Sequence, residues 1–141
     1  MPIRLYLDTN VLCRPFDNQR IRRIRRETEA FERIVEKIRD GDAVLVTSEI
    51  LVFEIQRILS PEKKAKVTGY LPLARAYHAL REETFTHAQE IISKFRLEPR
   101  DALHVASALL EGADYFLSCD DGVTKRFRKQ ALSAKIKGYN Q

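Results

Sequence analysis

Four acidic residues that lie far apart in the sequence are of a type that could perform phosphate chemistry together. They are Asp8, Glu54, Asp101 and Asp120. Carboxylate oxygens select hard divalent cations such as Mg²⁺ or Mn²⁺, and such cations are used in phosphoryl transfer. Gathered carboxylates repel one another by about 4 kcal/mol per close pair at an effective dielectric constant near 20, so the group needs protons or cations to persist. If the fold brings these residues together, they predict a Mg²⁺ or Mn²⁺ site.

The elements that must position these acids are predicted from the spacing of apolar residues and from helix start and stop signals. Strands are predicted at residues 2–7, 43–47, 115–118 and 134–137. Helices are predicted at residues 20–40, 49–59, 82–95, 99–111 and 122–129, with a short Lys-rich helix after Ser60-Pro61. Residues 62–80 show no pattern that assigns them a role.

Strands that alternate with helices predict one α/β domain with a mostly parallel sheet. In such a sheet ligands bind beyond the carboxyl ends of the strands. Asp8 and Asp120 directly follow predicted strands, and Asp101 lies in the first turn of a predicted helix. Glu54 lies about one and a half turns into the helix that follows residues 43–47.

Each acid also has a purely structural interpretation. Asp8, Asp101 and Asp120 could cap helices or occupy first turns, where a negative charge is favourable. Glu54 could lie on a solvated helix face. For any one residue alone this interpretation is preferred, and only the set of four favours a catalytic site.

The net charge of +5 and the isoelectric point near 9.4 favour a polyanionic partner. Four basic residues that follow Asp120 are candidates for binding such a polyanion, for example a nucleic acid: Lys125, Arg126, Arg128 and Lys129. Five arginines crowd the start of the first long helix: Arg20, Arg22, Arg23, Arg25 and Arg26. This second group could be a solvated face, a track for RNA or a docking surface for an acidic partner.

Other residues argue against several classes of protein. The two cysteines, Cys13 and Cys119, are too few for a disulfide framework and suggest a reducing compartment. No secretory signal or membrane span is evident, so we expect a cytoplasmic protein. His104 faces the same way as Asp101 because it lies three residues later, and a packed, hydrogen-bonded histidine is preferred there over a role near the pocket.

Three segments resemble the PIN-domain nucleases, in particular the VapC-type toxins of prokaryotic toxin–antitoxin pairs. These segments are YLDTNVLCRPFDNQ, TSEILVFEIQR and DALHVASALLEGADYFLSCDDGVTKRF. The resemblance extends over about residues 3–137. It implies a three-layer α/β/α fold with a mostly parallel sheet of four or five strands, and a Mg²⁺- or Mn²⁺-dependent endoribonuclease. It also implies an antitoxin partner and a homodimer.

The resemblance assigns the first to fourth metal-binding and catalytic acids to Asp8, Glu54, Asp101 and Asp120, in that order. Accessory candidates that could orient the site are Thr9, Asn10, Ser118 and Asp121. The products expected from such an enzyme carry 5′-phosphate and 3′-hydroxyl ends.

Two other classes of protein fit less well. A catalytically silent PIN-like protein could bind RNA or serve as a scaffold under the control of a partner, although the presence of all four acids argues against it. A phosphoacceptor domain would need its acidic pair after the first strand, whereas the pair Asp120-Asp121 comes late. An aspartate-based phosphatase would need Asp-x-Asp where this chain has Asp8-Thr9-Asn10.

Overall fold

The computed structural model of the protein describes residues 2–123, in which strands and helices alternate as predicted. The strands are β1 (Ile3–Leu7), β2 (Ala43–Ser48), β3 (Ala74–His78) and β4 (Tyr115–Leu117). The α-helices are α1 (Thr9–Cys13), α2 (Arg22–Arg39), α3 (Glu49–Gln56), α4 (Pro61–Thr68), α5 (Glu82–Phe95) and α6 (Pro99–Leu110). Short 3-10 helices cover Arg14–Phe16 and Leu71–Leu73.

Within the described residues the strands form one four-stranded sheet in the order β3-β2-β1-β4, and all neighbouring strands are parallel. Tyr6 of β1 lies beside Val46 of β2 and Phe116 of β4. The carboxyl ends of all four strands therefore meet at one edge. This arrangement confirms the predicted parallel α/β sheet.

Helices cover both faces of the sheet, because alternate residues of its central strands point to opposite sides. On one face Tyr6 and Val46 pack with apolar residues of α5 and α6. On the other face Leu7 and Leu45 pack with apolar residues of α1, α2, α3 and α4. Burial of this apolar surface, at about 25 cal/mol per Å², holds the three layers together.

The strand β3 is the element that the sequence did not reveal. It lies at an edge of the described sheet, and its Arg75 and Tyr77 point to solvent while His78 is buried. Such alternation over only five residues, close after Pro72, does not resemble the continuous apolar run of a central strand.

Helix α3 ends at Gln56, about three residues earlier than predicted. Ser60 has an extended backbone, because the ring of Pro61 disfavours the helical conformation in the residue before it. Helix α3 must therefore end before Ser60, and α4 begins after it.

Some predictions fall wholly or partly outside the described residues, namely the strand at 134–137 and most of the helix at 122–129. The chain is helical at residues 121–123. Cys13 and Cys119 are both buried free thiols. Among residues 2–123 no helix is long and apolar enough to cross a membrane.

Candidate active site

Asp8 lies directly after β1, at the edge where the strands end. Its side chain is nearly buried, and its Oδ1 accepts a hydrogen bond of 2.8 Å from the backbone N–H of Thr9. It therefore caps α1, as the structural interpretation expected. Its Oδ2 accepts hydrogen bonds from Ser118 Oγ at 3.0 Å and Asn10 Nδ2 at 3.4 Å. The N-cap hydrogen bond thus orients the carboxylate so that its other oxygen contacts Ser118 at the end of β4.

Glu54 reaches the same place from α3. Its Oε1 accepts hydrogen bonds from Thr9 Oγ1 at 2.6 Å and from His104 Nε2 at 2.7 Å. Its Oε2 lies 3.9 Å from Arg100 Nη1. Burial alone would raise the pKa of Glu54, but the hydrogen bond and the positive charge of His104 lower it below its ordinary value. Glu54 is therefore a held carboxylate and not a residue of a solvated face.

His104 lies between the two acids and is fully buried. Its Nε2 is 2.7 Å from Glu54 Oε1 and 3.7 Å from Asp8 Oδ1. Burial lowers the pKa of His104, but the charge of Asp8 and the hydrogen bond to Glu54 outweigh it, so the net shift is upward. The sequence analysis predicted correctly that His104 is packed and hydrogen-bonded. It gave too little weight to the alternative that His104 takes part in the acidic pocket.

A buried chain of hydrogen bonds supports His104 from behind. Tyr6 Oη lies 2.6 Å from His104 Nδ1 and 2.6 Å from Ser48 Oγ. When His104 is neutral with its proton on Nε2, Ser48 donates to Tyr6, Tyr6 donates to His104, and His104 donates to Glu54. When both ring nitrogens carry protons, Nδ1 donates to Tyr6 and Tyr6 donates to Ser48, so the chain accommodates the charged ring as well. Ser48 Oγ also accepts from Leu51 N at 3.1 Å and so caps α3, the helix that carries Glu54.

Asp101 and Asp120 interact electrostatically with each other, and Asp101 also interacts with Asp8 and Glu54. Burial, followed by the charges of Asp8 and Asp120, raises the pKa of Asp101 to about 6. Asp120 is more exposed, and its Oδ1 accepts a hydrogen bond of 2.8 Å from Gly122 N. Asp8, Glu54 and His104 each offer an atom within 4.8 Å of the others, whereas Asp101 and Asp120 lie outside this tight group.

The accessory candidates separate into two kinds. Asn10 and Ser118 touch Asp8, and Asn10 also accepts a hydrogen bond of 3.0 Å from Cys119 N. Asp121 instead forms a bidentate pair with Arg23, in which both N–O distances are 2.8 Å. Its carboxylate is therefore engaged by α2 at the surface.

The arginines at the start of α2 are partly engaged within the protein. Arg23 contacts Glu27 as well as Asp121. A surface cavity of about 450 Å³ is lined by Arg22, Arg23, Arg26 and Glu27. The RNA-binding candidates Lys125, Arg126, Arg128 and Lys129 lie outside the described residues.

The chemistry of the pocket fits a hard divalent cation. Its donors are mainly carboxylate oxygens, which such cations prefer, and the pKa of Asp101 is raised by burial first and then by the charges of the neighbouring carboxylates. Asp8, Glu54 and Asp101 could hold the cation, with Asp120 beside them. His104 is the ionisable residue that the sequence analysis undervalued, and its spacing from Asp101 was the signal that could have identified it.

Comparison with solved structures shows the same fold in three toxin–antitoxin complexes. The first is described as a toxin–antitoxin complex from Klebsiella pneumoniae, with 16% identity, coverage of 94% of each chain and a TM-score of 0.61. The second is VapBC2 from Rickettsia felis bound to a promoter DNA fragment, with 10% identity, coverage of 96% of this chain and 97% of the other, and a TM-score of 0.61. The third is DNA-bound VapBC from Salmonella typhimurium, with 16% identity, coverage of 96% of each chain and a TM-score of 0.56.

No curated protein sequence matches this chain significantly. The PIN domain family, however, matches residues 5–130, which include all four acids and His104. PIN domains are in general nucleases. The chain belongs to the PIN domain family.

Proposed function

We propose that this protein is a Mg²⁺- or Mn²⁺-dependent endoribonuclease that hydrolyses RNA phosphodiester bonds. The observation that carries this proposal is the convergence of Asp8, Glu54, Asp101 and Asp120 at one edge of the sheet, where the pKa of Asp101 responds to the other three acids. A bound divalent cation supplies an activated water and stabilises negative charge on the phosphate. In this proposal the four acids hold the cation and catalyse the reaction.

The chain's own residues fix the geometry of two of these acids. Ser118 and Asn10 hold Asp8, and Thr9 and His104 hold Glu54. Because the carboxylates of Asp8 and Glu54 already have fixed orientations, they need little reorganisation when RNA binds, and such preorganisation is a large part of electrostatic catalysis. The products are expected to carry 5′-phosphate and 3′-hydroxyl ends.

The direct test is cleavage of end-labelled RNA in buffers with Mg²⁺, Mn²⁺ or EDTA. We expect Asp8→Asn and Asp101→Asn each to lower the cleavage rate on the order of 100-fold, because each removes a charge from the pocket. Glu62→Gln is the matched control, since Glu62 is an exposed carboxylate on α4 that pairs only with Lys66 in the described residues. An Asp8→Asn protein that cuts RNA at the parent rate would refute the proposal.

The biological role that we propose is that of a cytoplasmic toxin whose partner is an antitoxin protein. The shared fold with chains of VapBC complexes supports this role. We also propose a homodimer. Co-expression with a small protein encoded beside the gene should yield a complex with reduced nuclease activity, and analytical ultracentrifugation should give twice the mass of the chain when it is alone.

A further inference from the structure

A partly exposed aromatic ring lies next to the acidic pocket, with two guanidinium groups over it. Phe53 directly precedes Glu54 in α3, and 44% of its surface is exposed. The Cζ atoms of Arg57 and Arg100 lie 5.3 Å and 5.8 Å from the centre of its ring. We call Phe53, Arg57 and Arg100 the stacking group.

The stacking group borders the site through both of the helices that form it. Helix α3 supplies Phe53 beside Glu54, and α6 supplies Arg100 beside Asp101. Arg100 Nη1 lies 3.9 Å from Glu54 Oε2. A nucleotide chain with a phosphate at the acids would therefore pass close to the ring.

The charges of the two arginines are available to a ligand. Among the described residues Arg57 has no carboxylate within salt-bridge distance, and Arg100 has only the long 3.9 Å contact with Glu54. Both side chains are exposed. Packing of arginine on an exposed ring is common by itself, but here the cations also lie where an anionic backbone must approach the site.

We propose that the stacking group binds one unpaired base of single-stranded RNA beside the phosphate that is cut. Aromatic rings and guanidinium planes are the groups on which proteins stack splayed RNA bases. Paired bases in a duplex do not present a free face, so the base that this group binds must be splayed out of any stack. This inference rests on the proposed nuclease function and names the residues that bind the RNA beside its site.

The test measures binding in EDTA, where no cleavage occurs, by fluorescence anisotropy. The two probes are a labelled oligouridine of about ten nucleotides and an abasic oligonucleotide with the same number of phosphates. We expect Phe53→Leu to weaken binding of the oligouridine about tenfold, within the range of one stacked base, and to leave binding of the abasic probe unchanged. Phe53→Tyr should retain the parent affinity for both.

Two arginine variants separate charge from stacking. Arg57→Gln should weaken binding of both probes and reduce the slope of log affinity against log salt by about 0.7, the value for one phosphate contact on a single strand. Arg57→Lys should restore the salt slope while it binds the oligouridine less tightly than the parent protein does. Phe85→Leu is the matched control, because Phe85 is 50% exposed on α5 and no guanidinium lies over its ring among the described residues.

The inference is overturned if Phe53→Leu binds the oligouridine with the parent affinity, or if it loses affinity equally for both probes. If Phe53→Leu keeps its RNA affinity but changes the sedimentation of the protein from dimer to monomer, the stacking group is a contact between copies, which also overturns it. Failure of the nuclease proposal looks different: the parent protein would then bind the oligouridine in the expected way but cut no RNA in Mg²⁺ or Mn²⁺.

Discussion

His104 places an ionisable base among carboxylates that would otherwise repel one another. Its Nε2 lies 2.7 Å from Glu54 and 3.7 Å from Asp8, so a protonated ring would partly neutralise both acids. The raised pKa of His104 results from these carboxylates, although burial opposes it. In the metal-free protein the carboxylates thus favour a proton on His104, at the place where the proposed cation would bring positive charge.

Asp101 gives the metal-free protein a predictable dependence on pH. Its pKa in the folded protein is about 6, against an ordinary value of 3.8. Between these values the folded state binds more protons than the unfolded state, so stability falls as pH rises from about 4 to about 6. We expect Asp101→Asn to raise the melting temperature of the metal-free protein near pH 8 and to have little effect near pH 4.

Thermal melts of the parent and of Asp101→Asn across this pH range, in metal-free buffer, test the prediction. Glu62→Gln serves as the control, because Glu62 is an exposed carboxylate that pairs with Lys66 on the same helix. Parallel stability curves for the parent and Asp101→Asn would show that Asp101 does not carry the effect.

Ser118 matters through its hydroxyl group. Its Oγ donates to the Asp8 carboxylate at 3.0 Å and accepts from the backbone N–H of Asp120 at 3.0 Å, so it links the Asp8 side chain to the backbone at Asp120. We expect Ser118→Ala to lower the cleavage rate about 10-fold or more, as is usual for residues that orient metal ligands. Ser118→Thr retains the hydroxyl and should keep most of the rate.

Steady-state cleavage of the same RNA by these two variants and the parent provides the measurement. Equal rates for Ser118→Ala and Ser118→Thr would mean that the hydroxyl does not orient Asp8.

At the scale of elements, the two short helices α3 and α4 both begin with a serine N-cap, but the two serines differ in their surroundings. Ser48 caps α3 and is buried, whereas Ser60 caps α4 and is exposed. Loss of such a cap costs about 1 kcal/mol. Ser48 also contacts Tyr6 in the chain that ends at Glu54, so its loss leaves a buried hydroxyl with one partner fewer.

We therefore expect Ser48→Ala to lower the free energy of unfolding by about 2 kcal/mol and to reduce cleavage as well. Ser60→Ala should lower the free energy of unfolding by about 1 kcal/mol and leave cleavage unchanged. Urea denaturation and RNA cleavage, measured on both variants, test this contrast. If the two variants lose activity equally, the cap of α3 has no special connection with the site.

The elements also show what the sequence could and could not reveal. Strands β1 and β2 were predictable because both faces are buried, which produces continuous apolar runs such as AVLVT. The edge strand β3 was missed because only one of its faces is covered. Asp8 was predictable as a candidate site residue from its position after β1, whereas the distances that join Glu54 to His104 depend on how α3 and α6 pack together.

At the scale of the whole molecule, the proposed cation should stabilise the fold by mass action. A ligand that binds only the native state at a hundred times its dissociation constant adds about 2.7 kcal/mol, which corresponds to a rise in melting temperature on the order of 5–10 °C for a chain of this size. The rise should grow from about pH 6 to about pH 8. Protons compete for the pocket at the lower pH, because the pKa values of Asp101 and His104 are both raised.

Melting curves with Mn²⁺ or Mg²⁺ at several pH values test this expectation, and Asp8→Asn is the variant in which the rise should disappear. The same titration separates an active nuclease from a silent PIN-like scaffold protein. A melting temperature that does not respond to either cation at pH 8 would favour the silent protein.

The insertion of β4 beside β1 has a consequence for the timing of protein synthesis. Asp8 N donates to Leu117 O at 2.9 Å, and Ser118 comes directly after that strand. A nascent chain on the ribosome can thus expose Asp8 and Glu54 long before β4 and Ser118, which complete the contacts of Asp8, have been translated. The proposed nuclease would therefore be inactive during translation of its own mRNA. It would become able to cleave RNA only after residues 115–120 have left the exit tunnel and β4 has paired with β1.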